Sequence, residues 1–183
     1  MDFKGYLAKG IELIKLSRPA ADELAEDPDA FNAGMLFVAI GGLARGIGAT
    51  FLSFGLGAPW IIFWPIVIVL MSFVHVFILF IIAKILGGTG SYRSYYGALG
   101  VGCMPTWATI MPFLGSILML WTIPVSVIVT ERVHKLSTAR SVMVVIFPVL
   151  FVFLVLAVLI IIIGMAGLMN LFQMWHANRM ISV

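Results

Sequence analysis

The chain has 183 residues, of which 62% are hydrophobic and only 10% charged, and its mean hydropathy is +1.15. A soluble domain is about half apolar and about a quarter charged, so this composition disfavours a soluble globular enzyme, a disordered protein and a coiled coil. The net charge is +3, and the single cysteine, Cys103, excludes an intramolecular disulfide and a metal site built from cysteine pairs. The chain is predicted to be an all-α polytopic membrane protein, with room for about four to six spans of ~20 residues.

Residues 1–30 are predicted to form a cytoplasmic arm with two short helices. Charges interrupt this stretch throughout, so no cleavable signal peptide is expected. Its apolar residues recur at three- and four-residue steps, which predicts a short amphipathic helix: Phe3, Tyr6, Leu7, Ile11 and Ile14. That helix either lies in the plane of the membrane interface or packs on its own membrane domain as an ordinary cytosolic helix. Pro19 disfavours helix before it, so the helix ends near Ser17, and residues 21–29 are expected to form a second, acidic helix.

Five apolar segments follow, at about residues 31–56, 60–86, 95–111, 113–133 and 139–172, and a short tail covers 173–183. Backbone groups in lipid must be hydrogen-bonded within the protein, and no barrel-like alternation is present, so residues 31–172 are predicted to be a five-helix membrane domain. The third segment is the shortest and forms a tight hairpin with the fourth around Pro112. The last exceeds one perpendicular span, so its helix is expected to tilt or to end near Gly164 and Gly167, with Trp175 at the interface.

The distribution of Lys and Arg predicts the orientation, because cytoplasmic connections carry an excess of both. Nine of them belong to the N-terminal arm, the second connection and the fourth connection: Lys4, Lys9, Lys15, Arg18, Lys84, Arg93, Arg132, Lys135 and Arg140. The first and third connections hold none, and the tail holds only Arg179. We therefore expect an N-terminus in the cytoplasm and a C-terminus on the opposite side.

Arg45 and His75 are titratable residues deep inside the predicted spans. Arg45 is in the outer half of the first span, where an arginine must extend to the headgroups or pair with an anion, or else serve as a functional charge. His75 is near the middle of the second span. We expect a structural histidine bonded to a backbone carbonyl or hydroxyl of a neighbouring helix, and a proton relay or cofactor ligand is the alternative. His134, at a span end, is expected to be interfacial.

Small residues and prolines indicate how the helices pack. Gly42 and Gly46 form a GxxxG pair, a spacing that lets two helices in lipid approach closely. This spacing favours a packed bundle or a homo-oligomer without choosing between them. Pro105, Pro124 and Pro148 fall in the third, fourth and fifth segments, where each is expected to kink its helix.

The most distinctive stretch runs from Gly87 to Pro105. Gly87 and Gly88 are expected to end the second helix, and Ser91 or Ser94 to cap the third. Three tyrosines predict an interfacial aromatic belt: Tyr92, Tyr95 and Tyr96.

The same loop is a candidate binding site. Its residues could hold a lipid phosphate or an acidic partner segment: Lys84, Gly87, Gly88, Gly90 and Arg93. It is not a P-loop, because no GxxxxGK[ST] pattern is present. The structural alternative is that the glycines only shape the loop and the charges only fix the topology.

The order of these features resembles the Yip-one domain family, the Ypt- and Rab-interacting integral membrane proteins and their prokaryotic relatives. The likeness covers about residues 13–165 and is carried by these residues: Leu16-Ser17-Arg18-Pro19, His75, Gly87–Tyr92, Tyr95-Tyr96, Pro105, Pro112, Trp121, Leu136-Ser137-Thr138-Ala139 and Pro148. The resemblance implies a five-span bundle with a cytoplasmic N-terminus. Eukaryotic members act in vesicle traffic and bind Rab-type GTPases and one another through longer cytosolic regions. The short arm here weakens the case for GTPase binding and suggests a short prokaryotic member.

Three functional hypotheses fit these features. The first is a non-catalytic membrane protein that organises membrane or scaffolds partners. Its expected partners are the lipid bilayer with its anionic headgroups, other membrane proteins or copies of itself. The second is a small transporter or channel built around Arg45 and His75, and the third is an accessory subunit of a larger membrane complex. An enzyme is not expected, because Glu131 is the only acid after Asp29 and neither GxSxG nor HExxH occurs. No cofactor, metal or nucleic-acid partner is expected.

Overall fold

A computed structural model describes residues 2–181, with side chains for residues 2–165, 167 and 169. This part of the chain is helical and contains no strand. The helices, in chain order, are α1 Phe3–Ile14, α2 Arg18–Glu26, α3 Ala30–Leu52, α4 Trp60–Ile85, α5 Tyr92–Gly102, a 3₁₀ helix Met104–Ile110, α6 Pro112–Met119, α7 Thr122–His134 and α8 Thr138–Ile181. The all-α prediction is confirmed.

Four helical segments in the described part are long and apolar enough to cross a membrane: Ala30–Leu52, Trp60–Ile85, Pro112–His134 and Thr138–Met165. They correspond to the first, second, fourth and fifth predicted spans. The third predicted span is divided between α5 and the 3₁₀ helix, which meet at Cys103. Pro105 explains the division, because a proline cannot donate to the carbonyl four residues earlier and its ring clashes there.

Other boundaries differ locally from the predicted ones. α3 ends at Leu52 because Phe54 and Gly55 adopt φ values of 51° and 90° in the following turn. The fourth segment is interrupted at residues 120–121, so Pro124 falls in the first turn of α7, where a proline breaks no intrahelical bond. α8 continues through Gly164 and Gly167 instead of ending there. The side chains of Trp175, His176 and Arg179 lie outside the described part.

The chain forms two compact units, residues 1–145 and 146–183. In the second unit, the described side chains from Phe147 to Ile163 leave large apolar groups exposed, as a lipid-facing helix does. In the first unit, α4 exposes a similar surface, with Ile62, Leu70 and Phe77 each more than half exposed.

Within the first unit, α1 and α2 form an antiparallel hairpin that packs on α5 and α7. The predicted break between them is present, since α1 ends at Ile14 and α2 begins at Arg18. The buried side of α1 consists of Tyr6, Gly10 and Leu13. This side overlaps only partly with the predicted apolar stripe, because Phe3 and Ile11 remain 39% and 43% exposed.

Glycines bring α3 into direct backbone contact with its neighbours. A Cβ on Gly34 would lie 2.7 Å from the carbonyl oxygen of Gly97, and a Cβ on Gly48 would collide with the carbonyl oxygen of Thr109. α3 therefore runs parallel to α5 and the 3₁₀ helix. On another side, Gly46 faces Ile61, so α4 runs back along α3. Small residues allow this close packing of helices, as the GxxxG spacing predicts.

Tyr95 and Tyr96 of α5 are in the core and not in an interfacial belt, whereas Tyr92 is half-buried. Tyr95 is fully buried and shares a 2.7 Å hydrogen bond with the hydroxyl of Thr130 on α7. Tyr96 is 1% exposed and shares a 2.8 Å hydrogen bond with the hydroxyl of Ser72 on α4. Because a tyrosine hydroxyl needs a partner when buried, these two bonds allow α5 to occupy the centre of the bundle.

Candidate functional site

The loop between α4 and α5 begins at a glycine whose conformation other residues rarely adopt. Gly87 has a φ of 92°, in the left-handed region that favours glycine. The loop then lies on the C-terminal end of α7, where the Thr89 N–H donates to the carbonyl oxygen of His134 at 3.1 Å. A Cβ on Gly88 would be 2.8 Å from Nδ1 of that histidine. Both glycines are thus required by backbone shape and close packing.

The second half of the loop starts α5. A Cβ on Gly90 would be 2.5 Å from the carbonyl oxygen of Val133, so this position also requires a residue without a side chain. Ser91 is the N-cap of α5, and its hydroxyl oxygen accepts the N–H of Ser94 at 3.1 Å. This is the cap that the sequence predicts.

Three basic side chains surround the loop. The Lys84 ammonium lies 5.4 Å from the centre of the Phe80 ring, and the Arg140 guanidinium donates to the carbonyl oxygen of Leu86 at 3.2 Å. Arg93 extends from the first turn of α5 toward α3, 5.7 Å from the centre of the Phe31 ring. We call this surface the loop face: Lys84, residues 86–91, Arg93 and Arg140. Within residues 2–165, none of its three basic side chains forms a salt bridge.

Carboxylates near this end of the bundle are paired with other cations. Arg132 on α7 donates to both carboxylate oxygens of Asp22 on α2, at 2.8 and 2.6 Å. Arg18 donates to Glu131 at 3.0 Å, and the Thr138 hydroxyl donates to the same carboxylate at 2.8 Å. These bonds join the N-terminal hairpin to α7 and occupy Asp22 and Glu131 with cations outside the loop face.

A further contact closes the hairpin. The Tyr6 hydroxyl donates to Asp27 at 2.8 Å, and the Lys9 ammonium is 3.8 Å from that carboxylate. Burial, followed by the contact with Asp27, raises the pKa of Tyr6 to about 12. Burial acts to raise the pKa of Asp27, but the Tyr6 hydroxyl, the backbone N–H of Asp29 and Lys9 outweigh it and lower that pKa. The pair therefore favours an ionised aspartate beside a neutral tyrosine.

His134 lies beneath the loop and is fully buried, contrary to the expected interfacial position. Its ring meets the Tyr95 ring edge-on, with centroids 4.5 Å apart, and neither ring nitrogen has a hydrogen-bond partner in the described part. The sequence carries no signal of this burial, because His134 follows Glu131 and Arg132 at the charged end of a helix. Its carbonyl and its ring together form the floor on which the loop rests.

The predicted intramembrane residues line two adjoining cavities among α3, α4, α5, the 3₁₀ helix and the α6–α7 segment. The larger, of about 230 Å³, includes His75, and the smaller, of about 170 Å³, includes Arg45. Five residues line both cavities: Val38, Ser72, Cys103, Thr106 and Met119. The structure thus places Arg45 and His75 on one cavity system, Arg45 on α3 beside Trp64 and His75 on α4.

The ring of His75 is exposed to the larger cavity and forms no hydrogen bond within the described part. The predicted bond to a neighbouring helix is therefore absent. Ser72, one turn earlier, takes the structural role instead, because its hydroxyl bonds to Tyr96 and donates to the carbonyl oxygen of Val69 at 2.7 Å.

Arg45 is held against an aromatic ring. Its guanidinium lies 5.2 Å from the centre of the Trp64 ring on α4, a cation–π contact. It forms no salt bridge in the described part. The described residues also contain no group of three His, Cys, Asp or Glu side chains that could hold a metal ion.

Comparisons with known proteins agree with the resemblance seen in the sequence. A family model described as the Yip1 domain matches residues 15–175, which is most of the chain. No curated protein and no solved structure matches significantly.

Proposed function

Because the chain belongs to the Yip1 domain family, we propose that it is a non-catalytic integral membrane protein that organises membrane and scaffolds partners. The loop face would be its contact surface, and anionic lipid headgroups would be the ligands. The observation that carries this proposal is that Lys84, Arg93 and Arg140 form no salt bridge in the described part, while Asp22 and Glu131 are bonded to Arg132 and Arg18. Basic residues at a cytoplasmic membrane surface attract anionic lipids with about 1 kcal/mol each.

The proposal includes five membrane crossings, with α5 and the 3₁₀ helix together forming the third. The length of this segment is about 30 Å, close to the thickness of the hydrocarbon core. It follows from eleven α-helical residues with a rise of about 1.5 Å each and seven 3₁₀ residues with a rise of about 2.0 Å each. A broken helix is tolerated at membrane depth only where protein surrounds it; residues 95–102 are buried, and residues 103–109, at and after the break, are buried or half-buried.

Packing along α3 supports the third crossing. Residue 97 contacts the N-terminal part of α3 at Gly34, and residue 109 contacts its C-terminal part at Gly48. These two glycines are 14 residues apart, about 21 Å along the helix. The chain would therefore move from one side of the bundle to the other between α4 and α6. With the nine-to-one bias of basic residues, the N-terminus and the loop face would be cytoplasmic.

Lipid retention tests the role of the loop face. We would purify the double variant Lys84→Gln/Arg93→Gln and measure bound phosphatidylglycerol and phosphatidylcholine by native mass spectrometry after reconstitution in an equal mixture. The affinity of the loop face for phosphatidylglycerol should fall about thirtyfold in the variant, because two cations contribute about 2 kcal/mol. Lys4→Gln/Lys15→Gln removes the same charge from α1 and should leave retention unchanged. Equal retention by the wild type and the loop variant would contradict the lipid site, and an acidic protein segment would then be the ligand to test.

A small transporter is the second candidate, because Arg45 and His75 line one cavity system. The scaffold is favoured over it because much of the polar lining is already bonded within the protein. The hydroxyls of Ser72 and Tyr96 bond to each other, and that of Thr122 donates to the carbonyl oxygen of Met119 at 2.8 Å. Proteoliposome flux that is lost in His75→Leu, with folding intact, would support the transporter instead.

A further inference from the structure

Arg45 has no countercharge of its own. It lies in the C-terminal half of α3, a helix long and apolar enough to cross the membrane. The chain has 8 acidic residues, all of which precede residue 30 except Glu131. Glu131 is in the last turn of α7, where it is bonded to Arg18, and this turn packs on the loop after α4. Arg45 contacts Trp64 at the opposite end of α4. α4 has 26 residues and is about 39 Å long, so no acidic side chain at its far end can reach Arg45.

The guanidinium of Arg45 lies at the depth of an interfacial aromatic group. It covers Trp64, whose ring centre is 6.0 Å from that of Trp60 in the first turn of α4. Tryptophans concentrate where acyl chains meet headgroups, so a lipid phosphate at this level would be within reach of Arg45. An arginine here is stabilised by such an anion, and the described part of the chain supplies none.

An elongated groove continues from Arg45 into the bundle. The two adjoining cavities follow α4 from Ile68 through Ser72 and His75 to Leu79, a distance of about 16 Å. Its walls combine apolar side chains such as Val38 with hydroxyls, and those of Ser72 and Tyr96 are bonded to each other. The apolar parts of such a cavity accept apolar molecules. We call this feature the Arg45 groove: Arg45, Val38, Ile68, Ser72, His75, Leu79, Cys103 and Met119.

We propose that the Arg45 groove binds one anionic phospholipid from the leaflet that surrounds the C-terminal half of α3. The lipid phosphate pairs with Arg45, and one acyl chain enters the two cavities and extends toward His75. This occupant supplies the missing anion and fills the apolar space at once. The site is separate from the loop face, which lies at the other end of α4.

Charge variants at Arg45 test the headgroup contact. We would introduce them in the Lys84→Gln/Arg93→Gln background, so that lipid held by the loop face does not contribute. Protein reconstituted in an equal mixture of phosphatidylglycerol and phosphatidylcholine would be analysed by native mass spectrometry. The background protein should retain one phosphatidylglycerol, and Arg45→Gln should reduce that retention about tenfold or more, because a charge-assisted bond is lost. Arg45→Lys keeps the charge and should retain an intermediate amount.

Filling the groove tests the acyl-chain contact independently of charge. Ile68→Trp places a large side chain in the smaller cavity and should displace the retained lipid. Ile78→Trp is the control: Ile78 is on the same helix but is 44% exposed on its outer surface, so this variant should keep the lipid. Alkylation of Cys103, which lines both cavities, gives a second readout. Its rate should rise in Arg45→Gln, when lipid no longer covers the thiol, and stay low in Arg45→Lys.

Two results would overturn the site. One is equal retention of phosphatidylglycerol by the background protein and by Arg45→Gln. Cooperative thermal unfolding of both proteins would establish that both are folded in that comparison. The other is equal retention of phosphatidylcholine and phosphatidylglycerol by the background protein, because the choline cation offsets the phosphate charge and should weaken its pairing with Arg45. Neither result bears on the loop face, which is already disabled in the background.

Discussion

Replacing Gly34 by alanine perturbs the closest contact between α3 and α5. The new Cβ would lie 2.7 Å from the carbonyl oxygen of Gly97 and 3.0 Å from its Cα, whereas ordinary contacts begin at 3.4 Å. The two backbones must therefore separate by about 0.7 Å, and neither can yield locally because both positions are in helices. Gly100, whose own Cβ would lie 2.6 Å from the Cα of Gly34, tightens the same contact.

Overpacking of this kind costs about 1–3 kcal/mol, and the better helix propensity of alanine offsets about 0.5–1 kcal/mol of it, so Gly34→Ala should lower the free energy of unfolding by about 0.5–2 kcal/mol. The measurement is reversible unfolding in mixed micelles, with thermal unfolding in detergent as a second observable. Gly164→Ala is the matched control, because Gly164 is in α8 with no described atom within 4 Å of a Cβ. There the added methyl should leave stability unchanged or raise it by about 0.5–1 kcal/mol, since alanine is the better helix former.

The sign of the difference between these two variants is decisive. If Gly34→Ala is as stable as the wild type, or gains stability as Gly164→Ala does, then α3 and α5 do not meet through their backbones. The parallel packing that positions the third segment would then be wrong.

Three further predictions concern the hairpin and the cavity. Arg132→Ala and Asp22→Ala should each destabilise the protein, and a double-mutant cycle should give a coupling of about 0.5–1 kcal/mol, because both side chains are about two-fifths exposed; a coupling of zero would contradict the pair. Since the folded pKa of Asp27 is lowered, its contribution is present above the ordinary aspartate pKa of about 3.9 and is lost as the pH falls through the folded value; Asp27→Asn should flatten the stability profile below pH ~4, and an unchanged profile would contradict this. His75→Leu should change the free energy of unfolding by less than about 0.5 kcal/mol, because the ring has no partner to lose; a large loss would indicate a bond that the structure lacks.

Apolar length and composition were enough to predict α3, α4 and the apolar part of α8, because a span in lipid needs a long uninterrupted apolar helix. The predicted N-cap at Ser91 is present for an equally local reason. The division of the third segment at Cys103 was not predictable from apolar length, since α-helical and 3₁₀ residues of the same composition look alike in sequence. Pro105 marked the place but was interpreted as a kink.

Long-range pairing was outside the reach of sequence patterns. Arg18 and Glu131 are 113 residues apart, and nothing local indicates that they meet. The burial of Tyr95 also depends on a distant residue, because its hydroxyl bonds to Thr130. Without knowledge of that bond, a tyrosine near a span end is expected at the membrane interface. The loop glycines were identified from the sequence, but their contacts with Val133 and His134 appear only in three dimensions.

The topology on which the loop face depends is tested most directly by accessibility of single cysteines. In a Cys103→Ser background, cysteines would replace Thr89 in the loop, Leu56 in the turn after α3, and Phe113 after the 3₁₀ helix; Leu56 and Phe113 are 89% and 79% exposed. Five crossings predict that a membrane-impermeant maleimide labels Leu56→Cys and Phe113→Cys from outside intact cells, and Thr89→Cys only in inverted vesicles. Labelling of Phe113→Cys and Thr89→Cys from the same side would show that α5 and the 3₁₀ helix do not cross the membrane.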